Sequence, residues 1–165
     1  MLVFYIKTGI INMNEIKDIK VSDTNCFLIP AKEGYLLIDT GPPGKINKFI
    51  KMLHKKNIDI QEINYILLTH HHYDHIGLVY DILQRTEARL ILHKNMIPFL
   101  EKGISKIEKS NKVFVNLISC IIFHFISPEY PPVKVQENRD FIIENDHLTL
   151  LKDLAIDGII LTTPG

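Results

Sequence analysis

Four candidate metal ligands at HxHxDH spacing fall within six residues, directly behind an apolar run, and that handover constrains this chain more than any other feature. Asn64 to Thr69 reads NYILLT, a short run of buried-strand type. The segment Thr69-His70-His71-His72-Tyr73-Asp74-His75-Ile76-Gly77 grows out of it. In extended backbone His70 and His72 point to one side. Asp74 and His75 come on the turn into the next helix and approach from another direction. Imidazole nitrogen and carboxylate oxygen both bind zinc at about 2.0–2.2 Å. His70, His72, Asp74 and His75 are therefore the candidate ligands, and they can serve two neighbouring ions. One short segment cannot close two coordination shells, so further donors must come from elsewhere. By the same alternation His71 and Tyr73 point away. Taken singly, each member has an ordinary reading: a histidine is usually only a histidine, and Asp74 alone would serve as a helix N-cap. Four such residues at HxHxDH spacing are much harder to explain that way.

The rest of the chain supplies an α/β frame for this segment. Its 165 residues are the size of one domain. Val3 to Lys7, Ile16 to Val21, Cys26 to Pro30 and Gly34 to Asp39 read as strands, and Thr40-Gly41-Pro42-Pro43-Gly44 as a turn. Ile46, Phe49, Ile50 and Leu53 recur at helical spacing, which predicts a helix over Lys45 to Lys56. Its lysines mark a solvated face. A second helix is expected over Asp74 to Gln84, a strand over Arg89 to Leu92 and a helix over Asn95 to Glu101. The tract Val113 to Ile126 is apolar but shorter than the ~18–20 residues of a membrane span. Asp140 to Glu144 and Gly158 to Thr162 read as strands again. Strands alternating with helices argue for α/β architecture.

Composition removes several function classes. Nineteen basic side chains balance nineteen acidic ones, which gives no electrostatic case for nucleic acid or a membrane surface as partner. Two distant cysteines, Cys26 and Cys120, exclude a disulfide-dense scaffold and a cysteine-only zinc site. They read as buried thiols of a reducing compartment. The start MLVFYIKTGI lacks the marks of a signal peptide, so a cytoplasmic location is expected.

The segment THHHYDHIG resembles the THxHxDHxG signature of the metallo-β-lactamase superfamily. Leu36 to Gly41, LLIDTG, resembles the strand and turn that precede it in that family, and Leu161 to Gly165, LTTPG, the start of its TPGH motif. The resemblance implies an αββα sandwich with two divalent ions at one edge, between the sheets. It implies that His70 and His72 hold one ion and Asp74 and His75 the other, assigns Asp74 the catalytic role as well, and makes Asp39 an outer residue that orients the histidine loop. The implied chemistry is hydrolysis by metal-activated water, with an ester, thioester or lactone of a small molecule as the expected substrate. Mostly imidazole ligands make zinc the first expectation, with iron or manganese as alternatives. The family's third ligand histidine would follow Gly165, so residues 1–165 are expected to form a single, C-terminally truncated domain of this kind. The alternative is a catalytically inactive fragment or partner-binding remnant. An exposed sheet would also favour a homo-oligomer. Lys102 to Gln136 is the expected lid or pocket wall. Of the other histidines, His93 reads as structural or as a substrate contact, His54 as solvated and His124 as a core residue; His147 has no assignment.

Overall fold

The computed structural model of the chain describes residues 2–6, 15–105, 129–146 and 149–163. Its elements run β1 (Leu2–Ile6), β2 (Lys17–Val21), β3 (Thr24–Pro30), β4 (Tyr35–Ile38), α1 (Ile46–His54), β5 (Ile63–Leu67), α2 (Tyr73–Ile76), α3 (Val79–Leu83), β6 (Arg89–His93), α4 (Ile97–Lys102), β7 (Phe141–Ile143), α5 (Leu150–Asp153) and β8 (Gly158–Thr162).

Strands β2 to β7 form one mixed sheet in chain order. The first three pair antiparallel through short turns. From β4 to β7 the pairing is parallel. Parallel neighbours need a crossover, which α1 supplies between β4 and β5, and α2 with α3 between β5 and β6. Parallel strands also bring their C-terminal ends to one edge, where α/β proteins collect their functional loops. The turn after β4 and the histidine segment after β5 emerge there side by side.

Strand alternation then divides the core into two. Leu37, Ile66, Leu90 and Leu92 face Phe49, Leu53, Val79 and Ile82 of the helices. Leu36, Leu67, Ile91 and Ile143 face the opposite way, against Leu2, Leu150, Leu151, Leu154 and Ile160. Phe49 and Leu53 are the inward stripe of α1 and are fully buried, a gain of about 1.5–3 kcal/mol each. The opposite layer is a second sheet of two strands, β1 and β8, antiparallel from Leu2↔Thr162 to Ile6↔Gly158. Its α5 packs against β8 in the same apolar cluster. Helices, a large sheet and a small sheet thus stack in the order that the αββα expectation requires.

The structure departs from the sequence reading in two elements. The helix expected over Asp74 to Gln84 breaks at Gly77 and Leu78 into α2 and α3. Thr40 causes the break. Its N–H and hydroxyl both donate to His75 O, at 2.7 and 2.8 Å, and its Oγ1 accepts from Leu78 N at 3.2 Å. Those are the groups a continuous helix would have used internally. The other departure is α5, one turn too short to show a period. Of the apolar region between Lys102 and Gln136, residues 106–128 lie outside the described residues, as do Cys120, His124 and His147.

Gly77 is required by packing at the break. A Cβ there would stand 2.3 Å from Pro43 Cδ and 2.5 Å from Tyr73 O. Gly77→Ala is expected to cost about 1–3 kcal/mol by overpacking, read as a lower urea midpoint. An unchanged midpoint would show that the Pro42-Pro43 turn gives way freely.

Candidate metal centre

Asp39 closes β4 in a left-handed conformation, φ +56°, which Asp tolerates better than most residues. Its N–H donates to Leu67 O at 2.9 Å and holds it beside the end of β5. The residue is 5% exposed, so its carboxylate needs partners inside the protein. Thr69 N donates to Oδ1 at 3.0 Å, the Thr69 hydroxyl lies 3.0 and 2.8 Å from the two oxygens, and His75 Nδ1 lies 2.8 Å from Oδ2. A carboxylate only accepts, so His75 carries its proton on Nδ1 and turns Nε2 outward. That Nε2 lies 3.5 Å from Asp74 Oδ2.

Three of the predicted ligands converge as rings. The His70 centroid lies 4.6 Å from that of His72 and 4.0 Å from that of His75. All four predicted ligands are half-buried, screened by the fold yet open to solvent on one side. His72 starts α2 in extended conformation, and its carbonyl accepts from His75 N and Ile76 N at 2.9 and 3.1 Å. This local turn swings Asp74 and His75 back over His70. Among the described residues, one close group of donor atoms takes one histidine from each predicted pair and adds Asp39: ligand atoms of Asp39, His70 and His75 all lie within 4.8 Å of one another. Imidazole nitrogens beside carboxylate oxygens form a donor set that fits zinc, iron or manganese.

The neighbours behave as the alternation predicts. His71 stacks on Phe99 at 4.3 Å, and Tyr73 packs against the helix-side core. His54 is exposed on α1. At the end of β6, His93 Nδ1 accepts from Asn95 N at 3.2 Å and caps the turn Lys94–Met96, which is a structural role. The residue that sequence reasoning missed is Thr69. It stood inside the motif, but nothing local showed that its hydroxyl lies 2.8 Å from both Asp39 Oδ2 and His70 Nδ1. A cleft of about 950 Å³ at the other end of β5 and β6, lined by Gln61, Arg85 and Arg89 among others, contains no histidine.

The two innermost imidazoles are tuned in opposite directions. Burial, then the charge of His75, pulls His70 down to about 4. Burial also works against charge on His75, but the hydrogen bond and negative charge of Asp39 outweigh it and raise that residue.

A family model described as the metallo-beta-lactamase superfamily matches residues 19–162. The lactamase-like protein aptB of Emericella nidulans is 37% identical over 71 residues, 42% of this chain and 22% of that protein. A metal-dependent hydrolase of Staphylococcus aureus, SAR1785, is 35% identical over 57 residues, 33% of this chain and 25% of its own. The fold is that of BJP-1, a subclass B3 metallo-β-lactamase of Bradyrhizobium japonicum. That structure aligns with a TM-score of 0.62 at 24% identity, over 79% of this chain and 43% of its own. The matched segments therefore span a quarter or less of these curated relatives and under half of the solved structure.

Opposite tuning gives opposite pH dependence. His70 binds fewer protons folded than unfolded between about 4 and 6.5, so its contribution to stability falls as pH falls through that window. His75 contributes fully below 6.5 and loses its contribution as pH rises through its raised folded value. The metal-free protein is expected to lose more stability than a His70→Gln variant on going from pH 6.5 to 4. Urea midpoints with equal pH slopes in the two proteins would contradict this.

Proposed function

The chain belongs to the metallo-β-lactamase superfamily, and from that premise we propose that it forms part of a metal-dependent hydrolase acting on an ester, thioester or lactone of a small molecule. Residues 1–165 are read as belonging to one domain. His70 and His72 would hold one divalent ion and Asp74 and His75 a second, with zinc the first choice and iron or manganese the alternatives. The single observation that carries the reading is the convergence of the His70, His72 and His75 rings over a buried carboxylate at the sheet edge.

The chemistry that divalent ions supply at such a cluster is activation of water, with its pKa lowered to about 7, and stabilisation of charge on a carbonyl oxygen. The protein's own share is orientation and proton handling. Asp39 fixes His75 through Nδ1, so Nε2 is offered as the donor. Asp74 is the more open carboxylate, its side chain 40% exposed against 7% for Asp39. It can therefore face substrate and accept a proton at Oδ2, which is the basis for its catalytic role. The balanced charge of the chain favours a small molecule over nucleic acid. Among the described residues no helix is long and apolar enough to cross a membrane. A reducing, cytoplasmic setting is part of this reading, with Cys26 a buried free thiol. Self-association through an open sheet edge belongs to the same reading.

Plasma mass spectrometry of the purified protein is expected to find metal, and His72→Ala to hold at least one ion fewer per chain. Hydrolysis of an ester, thioester and lactone panel should fall with it. Unchanged metal content in His72→Ala would remove the ligand assignment. Full metal with no turnover across the panel would favour a non-catalytic chain.

A further inference from the structure

We propose that Thr69 is a positioning residue that sets the ring tautomer of His70, so that Nε2 rather than Nδ1 is offered to a metal. The inference extends the reading that His70 is a ligand. It starts from one oxygen with two close partners. Thr69 Oγ1 lies 3.0 and 2.8 Å from the oxygens of Asp39 and 2.8 Å from His70 Nδ1.

A hydroxyl has one proton and two lone pairs, a carboxylate has lone pairs only, and a neutral imidazole has one N–H. If the Thr69 proton pointed at His70, its oxygen would set a lone pair against a carboxylate oxygen at 2.8 Å, in a site where the carboxylate is 5% exposed. That arrangement is repulsive and leaves a buried acceptor short of a donor. The proton therefore goes to Asp39, and Oγ1 accepts from His70 Nδ1–H. Nε2 is left with its lone pair free.

The same carboxylate holds Nδ1–H of His75 directly, at 2.8 Å. Asp39 thus sets the tautomers of two imidazoles by different routes. It reaches His75 in one bond and His70 through Thr69. The backbone reinforces the relay. Thr69 N also donates to Asp39, and Thr69 O accepts from Leu2 N of the second sheet at 2.8 Å, so the threonine is held at both ends. Valine matches threonine in shape but cannot relay a proton; serine keeps the hydroxyl and loses only the methyl.

The test reads the tautomer and the affinity separately. In nitrogen-detected imidazole spectra of the metal-free protein at neutral pH, His70 is expected to carry its proton on Nδ1. Thr69→Val should move it toward Nε2, and Thr69→Ser should restore Nδ1. Zinc affinity should weaken about 10–100-fold in Thr69→Val and stay near wild type in Thr69→Ser. An Nε2–H His70 in the wild type overturns the proposal, as does a Thr69→Val protein with unchanged tautomer and affinity. If Thr69→Val does not fold, the wild-type spectrum decides alone. Full metal content in His70→Ala would sink the ligand reading instead, and would leave the tautomer result standing.

Discussion

One buried carboxylate joins the pieces of this site. Asp39 ends a strand, accepts from the first residue of the histidine segment, and accepts again from a histidine six residues further on. Bonds between an ionised acceptor and its donors are the strong kind. Burial raises the penalty for losing any of them. The histidine segment therefore cannot relax into an ordinary loop without leaving Asp39 unsatisfied. That requirement holds His75 against the carboxylate and, through Thr69, His70 beside it, with the two rings 4.0 Å apart.

The layers around the carboxylate explain why it sits there. Parallel pairing of β4 and β5 brings Asp39 and Thr69 to the same edge. Thr40, the next residue, reaches into the following helix and breaks it, so that His75 turns back toward the sheet. The second sheet meets the same point from the other side, where Leu2 N donates to Thr69 O. Beside that contact Thr162, the register partner of Leu2, donates both its N–H and its hydroxyl to Asp146, at 2.7 and 2.9 Å. The centre thus lies where both sheets end, and its geometry depends on how they are docked.

Much of this was legible because it is local. The apolar stripe of α1, the buried runs of β5 and β6, and the ligand spacing of the histidine segment are all encoded within a few residues of themselves. What was not legible is bonding between segments far apart in sequence. The break between α2 and α3 is caused by a threonine more than thirty residues upstream. The pairing of β1 with β8 joins distant parts of the chain and leaves no trace in either strand's own pattern. The importance of Thr69 appears only when Asp39 is beside it. Asp39 itself was picked out by family resemblance. The structure supplies the physical reason through its bonds to Thr69 and His75.

The most direct test of this account is zinc titration calorimetry on Asp39→Asn. Asparagine keeps the shape of the side chain and one acceptor oxygen, but an amide N–H₂ cannot accept. It cannot serve both Thr69 and His75. Zinc affinity is expected to fall about tenfold or more, although Asp39 is read as an orienting residue rather than a ligand. Wild-type affinity and stoichiometry in a folded Asp39→Asn protein would contradict it. They would mean that the histidine segment holds its own geometry without the carboxylate.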